Sequence, residues 1–234
     1  MLTTAQRRAH YDEFVTQVIG LCADNGIRAD LTSGRGRPVE ECDRMQEHLT
    51  RHVARYGARR AHYTIATLIA MQRHLAEQGP YTPEFPARTG DEADITSGAE
   101  NATEPNLHRP PGEAADAPAP QHLTPAGQPM GERAAWRRRP NLGTTLAIAV
   151  ARHGFKESRM TERVKTLTKL ASPLLHPRLW TLGTHLHNHG AARLDFAVLL
   201  EDLAWWDHDQ PQVATRWRES YFLTLDALSP DMEH

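Results

Sequence analysis

The amino-acid sequence predicts an all-α protein made of two small helical bundles joined by a long disordered linker. Apolar residues recur three and four positions apart in both halves of the 234-residue chain, which is the period of an amphipathic helix. No segment alternates apolar and polar residues as a half-buried strand does. Ten of the sixteen prolines fall between Pro80 and Pro129, among almost no large apolar residues. Such a stretch buries too little surface to offset the entropy of ordering it.

The first half of the chain predicts three helices. The first is indicated by five apolar residues with the spacing of one helical stripe, namely Tyr11, Phe14, Val15, Val18 and Ile19. A glycine-rich turn at residues 33–38 follows a short segment at 29–31. The second helix is predicted from about residue 40 to 56, where Gly57 stops it, and the third from about 59 to 78.

The second half predicts five helices. Asn141 is placed as the N-cap of the first, which ends at Gly154. The other four are predicted at residues 159–171, 173–189, 195–207 and 211–227. Trp205 and Trp206 are adjacent, so they cannot both face inward on one helix. One of them is predicted to contact another element or a partner protein.

The formal net charge of −2 conceals a strong asymmetry along the chain. Residues 80–132 carry nine acidic residues against two basic ones and are predicted to form an acidic, proline-rich linker, with a long structured loop as the alternative. Residues 1–79 and 133–234 are the predicted N-terminal and C-terminal bundles. Residues 133–178 carry eleven basic residues against two acidic ones. Clustered positive charge attracts phosphate, so this block predicts a surface that faces a polyanion.

The predicted helix at 159–171 carries the most informative part of this basic block. At 100° per residue its buried stripe is Met160, Val164, Leu167 and Ala171, with only Glu162 close enough to neutralise the cations. A merely solvated helix face is the alternative, but matched acids four residues away are missing. The predicted phosphate contacts are Arg159, Arg163, Lys165 and Lys169 in first place, and Lys156, Arg35 and Arg37 in second.

Other function classes find little support in the sequence. There is no P-loop, nucleophile elbow, zinc-protease motif or Rossmann fingerprint, so neither an enzyme nor a cofactor is predicted. Cys22 and Cys42 are interpreted as inert buried thiols, and His48 with His52 lacks an evident third ligand, so no metal site is predicted. No apolar run approaches the ~18–20 residues of a bilayer span. A cytoplasmic protein without membrane contact is expected.

Two blocks of sequence carry a family resemblance. The first is the segment 29–41, whose Ser33-Gly-Arg-Gly-Arg-Pro38 turn is similar to a Leu-Arg-Arg-Gly-x-Gly-Arg-Pro segment, with Thr32 and Ser33 where the paired arginines usually stand. The second contains Leu194-Asp-Phe196 and Glu201-Asp-Leu-Ala-Trp-Trp206. Together these blocks resemble the CasB family, the small subunit of the type I-E CRISPR surveillance complex called Cascade.

The resemblance implies a non-enzymatic, all-α protein that is used as two copies packed head to tail along the inner face of Cascade. There the family helps to hold the displaced DNA strand and the hybrid of guide RNA and target DNA during R-loop formation. Its members contact the backbone subunits and the large subunit of the complex. Two alternatives remain: a stand-alone helical DNA-binding transcription regulator, and a structural scaffold that contacts proteins only.

Overall fold

The computed structural model describes residues 2–72, 132–191 and 194–229. Within these ranges the chain is helical and contains no strand, which confirms the all-α prediction. One turn of 3-10 helix, Val39–Glu41, accompanies nine α-helices in the described ranges. The helices are α1 (Thr4–Leu21), α2 (Asn25–Thr32), α3 (Asp43–Val53), α4 (Arg59–Met71), α5 (Glu132–Arg137), α6 (Leu142–His153), α7 (Glu157–Leu167), α8 (Ser172–Asn188) and α9 (Phe196–Leu228).

The N-terminal helices differ from their predicted bounds where side chains cap the backbone. Helix α2 was not predicted: it begins after Asp24, which accepts hydrogen bonds from the N–H groups of Gly26 and Ile27, and it contains the short segment at 29–31. The helix predicted from about residue 40 is split at Cys42 into the 3-10 turn and α3. Helix α4 was predicted to run to about residue 78 but ends at Met71, because the backbone of Gln72 is extended. Residues 73–78 lie outside the described residues.

Helix α6 follows the prediction. Asn141 caps α6 by accepting from the Thr144 N–H at 3.1 Å, and Gly154 ends it with a φ of 69°. The short helix α5 was not predicted. In α9 the backbone leaves helical geometry at Asp209, two residues before Pro211. The two parts of α9 therefore correspond to the helices predicted at 195–207 and 211–227.

The predicted bounds of the basic helix were wrong at its C-terminal end, since α7 ends at Leu167 rather than at 171. Trp206 Nε1 donates to the Leu170 carbonyl at 3.0 Å, and Gln210 Nε2 donates to the same oxygen. These bonds from α9 satisfy a carbonyl at the end of the turn. Ala171 is exposed rather than part of the buried stripe, because it is the N-cap of α8.

Helices from both sides of the undescribed segment pack against one another. The described residues before and after that segment form one compact unit, in which α6, α1 and α4 all contact α9. At the contact of α6 with α9, Gly143 lies so close to the carbonyl of Trp217 that a Cβ there would overlap it. The domain boundaries after residues 79 and 132 stay a prediction, and the linker predicted between them falls almost wholly outside the described residues.

Candidate nucleic-acid interface

Helix α7 presents its cations to solvent because its apolar residues hold it against the core. Met160, Val164 and Leu167 are buried, as the helical period predicts. All five predicted contacts in this region have exposed side chains, namely Lys156, Arg159, Arg163, Lys165 and Lys169. Lys156 is the N-cap residue of α7 and Lys169 lies in the turn after it, so the basic surface extends past both ends of the helix.

Most of this charge is not neutralised within the part of the chain that the structure describes. Lys165 Nζ lies 2.9 Å from Glu162 Oε1, and both side chains are at least half exposed. An exposed pair of this kind contributes only about 0–1 kcal/mol and leaves the cation accessible. Among the ion pairs of the described residues, it alone involves a predicted contact. The surface of α7 is therefore a source of positive potential.

The glycine-rich turn uses its backbone inside the protein. Gly36 has a φ of +74°, and a Cβ on it would lie 2.5 Å from the backbone of His176 in α8. A Cβ on Gly34 would meet the Thr67 hydroxyl at 2.6 Å. The two glycines permit close packing against α4 and α8, and the side chains of Arg35 and Arg37 point outward. Any contact with a phosphate therefore falls to these two side chains and not to the backbone.

Arg60, which the sequence analysis did not single out, connects the glycine-rich turn to the start of α8. Its Nη2 donates to the Gly36 carbonyl at 3.3 Å and to the Pro173 carbonyl at 3.1 Å. The turn that carries Arg35 and the segment that follows Lys169 thus lie on either side of one guanidinium group. No sequence motif indicates this bridge, because it joins residues more than a hundred positions apart.

Most of the chain matches one known protein family. Residues 27–222 match the family described as CRISPR-associated protein Cse2. The chain belongs to the Cse2 family. This match covers most of the chain and confirms the resemblance to the CasB small subunit that the two sequence blocks predicted.

Solved structures share the Cse2 fold of this chain. A chain of a CRISPR RNA-guided surveillance complex matches with a TM-score of 0.62 and 22% sequence identity, over 95% of this chain and 97% of that chain. A chain of a CRISPR RNA-guided surveillance complex in a pre-nicking state matches with a TM-score of 0.64 and 23% identity over the same shares. No curated protein matches the chain.

The acidic residues of the Cse2 motif in α9 have structural roles. Asp202 is fully buried and accepts from Trp217 Nε1 and from Arg216. Burial raises the pKa of Asp202 to about 6, although Arg216 and Trp217 act in the opposite direction. The neighbouring Glu201 accepts from Trp136 Nε1 at 2.6 Å. Both acidic residues of the motif therefore accept hydrogen bonds inside the protein.

One arginine of the run at 137–139 is also structural in this Cse2 chain. Arg139 donates to both oxygens of the buried Asp195 at 2.6 and 2.7 Å and to Asp12 at 2.8 Å. Its guanidinium lies 4.4 Å from the ring centre of Trp136. Arg137 and Arg138 are exposed. The sequence does not distinguish these three arginines, since Asp195 and Asp12 are distant along the chain.

The tryptophan pair of this Cse2 chain divides as predicted. Trp206 is buried, while Trp205 is 39% exposed. The Arg7 guanidinium of α1 lies 5.2 Å from the ring centre of Trp205, which is the predicted contact with another element.

The remaining candidate sites of the Cse2 chain have simple roles in the structure. His48 Nε2 lies 3.2 Å from Asp30 Oδ2, and the described residues contain no group of three or more potential metal ligands. Cys42 is buried as predicted, whereas Cys22 is only partly buried. Burial raises the pKa of both thiols, that of Cys22 to about 11, which makes the reactive thiolate scarce. Within the described ranges, the helices are too short or too polar to cross a bilayer.

Proposed function

We propose that this Cse2 protein is a non-catalytic small subunit of a type I-E Cascade complex, in which it stabilises the R-loop by contacts with nucleic-acid backbone. The observation that carries the proposal is the row of exposed, largely unpaired cations on and beside α7. It is supported by the Cse2 family match and by the shared fold with chains of CRISPR RNA-guided surveillance complexes.

The proposed contacts are electrostatic and independent of base sequence. Each cation that neutralises a phosphate releases a condensed counterion, so the affinity falls steeply as salt is added. Phosphate contacts position a strand without reading its bases, and in Cascade the sequence is read by pairing with the guide. Arg159, Arg163, Lys165 and Lys169 are the first-choice contacts, and Lys156, Arg35 and Arg37 are the second.

The proposed partners follow from the same assignment. The chain packs head to tail with a second copy of itself and bridges the backbone subunits and the large subunit of Cascade in antiviral defence. The guide RNA and the target DNA, including its displaced strand, pass the basic surface of α7. The protein functions in the cytoplasm, where the complex meets invading DNA.

The test is R-loop formation by Cascade reconstituted with the double variant Arg159→Glu/Arg163→Glu. We expect at least about a tenfold loss of R-loop formation and a shallower dependence on salt concentration. The matched control is Arg51→Glu/Arg55→Glu, which changes the net charge equally through two exposed residues near the end of α3. The double variant Lys165→Glu/Lys169→Glu is expected to behave like the first pair.

Equal R-loop formation by all three variants and the unmodified chain would overturn the proposed contacts. A different outcome would favour the alternative function. If the isolated chain retards one duplex sequence selectively in the absence of guide RNA, the protein is a stand-alone transcription regulator.

A further inference from the structure

Three aromatic rings meet beside α7, where the end of α6 approaches the end of α8. The ring centres of His185 and His189 are 4.4 Å apart. The ring centre of Phe155 lies 5.2 Å from that of His185 and 5.3 Å from that of His189. We call these three side chains the aromatic cluster. Neither the Cse2 match nor the proposed phosphate contacts assign a role to it.

The aromatic cluster is held in place by the backbone around it. Phe155 follows the left-handed Gly154, packs against the core, and donates its N–H to the Ala149 carbonyl at 3.5 Å. His189 Nδ1 lies 2.8 Å from the His185 carbonyl oxygen. Because a carbonyl only accepts, His189 donates through its Nδ1–H, and this bond fixes the orientation of the ring.

The cluster is open to solvent on one side. Phe155 and His185 are partly buried, whereas His189 is exposed. Burial and the nearby charge of Arg163 lower the pKa of His185, which favours the uncharged form of this ring. The exposed imidazole of His189 has the rings of Phe155 and His185 packed beside it, so it can offer a flat face to a planar ligand.

Cations border the aromatic cluster. Lys156 follows Phe155 directly, and Arg152 precedes it by three residues, both with exposed side chains. Arg163 of α7 is close enough for its charge to act on His185. Aromatic rings bordered by cations are the combination that single-strand-binding proteins use, with bases on the rings and phosphates on the cations.

We propose that Phe155, His185 and His189 form a stacking site for an unpaired nucleobase of a single strand whose phosphates lie on the cations of α7. This inference rests on the proposed function and extends it from the backbone to the bases. Stacking tolerates any base, because every base has a flat π-face. The site therefore selects unpaired over paired nucleotides without selecting a sequence.

The test compares two single strands of equal length with the full-length chain at low salt: an oligothymidylate and an abasic deoxyribose-phosphate strand. We expect the oligothymidylate to bind about five- to tenfold more tightly. His189→Ala should remove most of this difference in affinity without weakening the binding of the abasic strand. His189→Phe keeps a flat ring and should retain the difference. His187→Ala, two residues away on the same helix, is the matched control and should behave like the unmodified chain.

Equal affinity for the two strands would overturn the stacking site and leave the proposed function intact. An equal loss of affinity for both strands in His189→Ala would also overturn it, since His189 would then contact the sugar–phosphate backbone of the strand and not a base. Failure of both strands to bind would overturn the stacking site as well, because the cluster lies on one chain and needs no partner subunit. The R-loop assay with Arg159→Glu/Arg163→Glu then decides the proposed function separately.

Discussion

Asp202 Oδ2 accepts a hydrogen bond from Trp217 Nε1 at 2.5 Å, across the break that divides α9 at Asp209. Asp202 belongs to the first part of the helix and Trp217 to the second. The other carboxylate oxygen of Asp202 accepts from Arg216, which also lies in the second part. The buried carboxylate therefore joins the two parts of α9 across the break.

Asp202→Asn should lower the free energy of unfolding by about 1–3 kcal/mol. The NH₂ group of asparagine is a donor and would face the donor of either Trp217 or Arg216, so that hydrogen bond would be lost. The measurement is urea unfolding followed by tryptophan fluorescence. Asp207→Asn is the matched control, since Asp207 is exposed on the same helix and should change the stability by less than about 0.5 kcal/mol. Equal effects of the two substitutions would contradict the role of Asp202.

Gly143→Ala should be strongly destabilising, by several kcal/mol, because the added Cβ overlaps the backbone carbonyl of Trp217 and neither helix can yield without losing contacts. Gly20→Ala provides the contrast, since a Cβ at this position in α1 meets no atom within 4 Å. That substitution should stabilise the protein by roughly 0.5–1 kcal/mol. Thermal unfolding of both variants measures the difference, and a stable Gly143→Ala protein would contradict the close approach.

Arg139→Ala should cost about 3 kcal/mol of stability, because it leaves the buried carboxylate of Asp195 without its partner. Arg138→Ala, its exposed neighbour, should leave the stability unchanged. If Arg139→Ala unfolds at the same urea concentration as the unmodified chain, the ion pair has no structural role.

The protein should lose stability as the pH falls from about 6.5 to 4. Burial lowers the pKa of His10 and of His62 to about 4, and that of His176 to about 3. The unfolded chain binds protons on these groups below pH 6.5 while the folded chain does not, so acid favours unfolding. Asp202 acts in the opposite direction, because its raised pKa favours the folded state below about pH 6.

A substitution at one of these histidines checks the pH dependence. His10→Phe preserves a flat ring against Tyr56, whose ring centre lies 3.2 Å away, and removes one titrating group. The change in unfolding free energy between pH 7 and pH 5 should become smaller in this variant. His153→Gln removes an exposed histidine and should leave that change as it is. An unaltered pH dependence in His10→Phe would contradict the assignment.

Glu162→Gln should strengthen the binding of Cascade to target DNA by about two- to threefold, because it removes the carboxylate that pairs with Lys165. The stability should change by less than about 0.5 kcal/mol, since the pair is exposed. A gel-shift titration at two salt concentrations measures the gain, which should shrink at the higher one. Weaker binding in this variant would show that Glu162 holds Lys165 in a binding geometry.

Local signals in the sequence predict the helices well, and long-range contacts account for the differences. Asn141 and Gly154 mark the ends of α6 because caps act within a few residues. The end of α7 was misplaced because Trp206 and Gln210, about forty positions away, satisfy the carbonyl of Leu170. For the same reason the sequence treats the arginines at 137–139 alike.

Helix α4 is buried at ten consecutive positions, from Ala61 to Ala70. Several of these residues depend on the C-terminal half: Thr64 bonds His176 at 2.8 Å, and Leu68 fills the space beside Gly183. Each half would therefore expose residues that are buried in the intact protein if it were alone. A chain divided within the undescribed segment should yield two fragments that aggregate separately and reassemble when mixed, which makes this protein suited to a split-reporter design in which restored folding signals that two fragments have met.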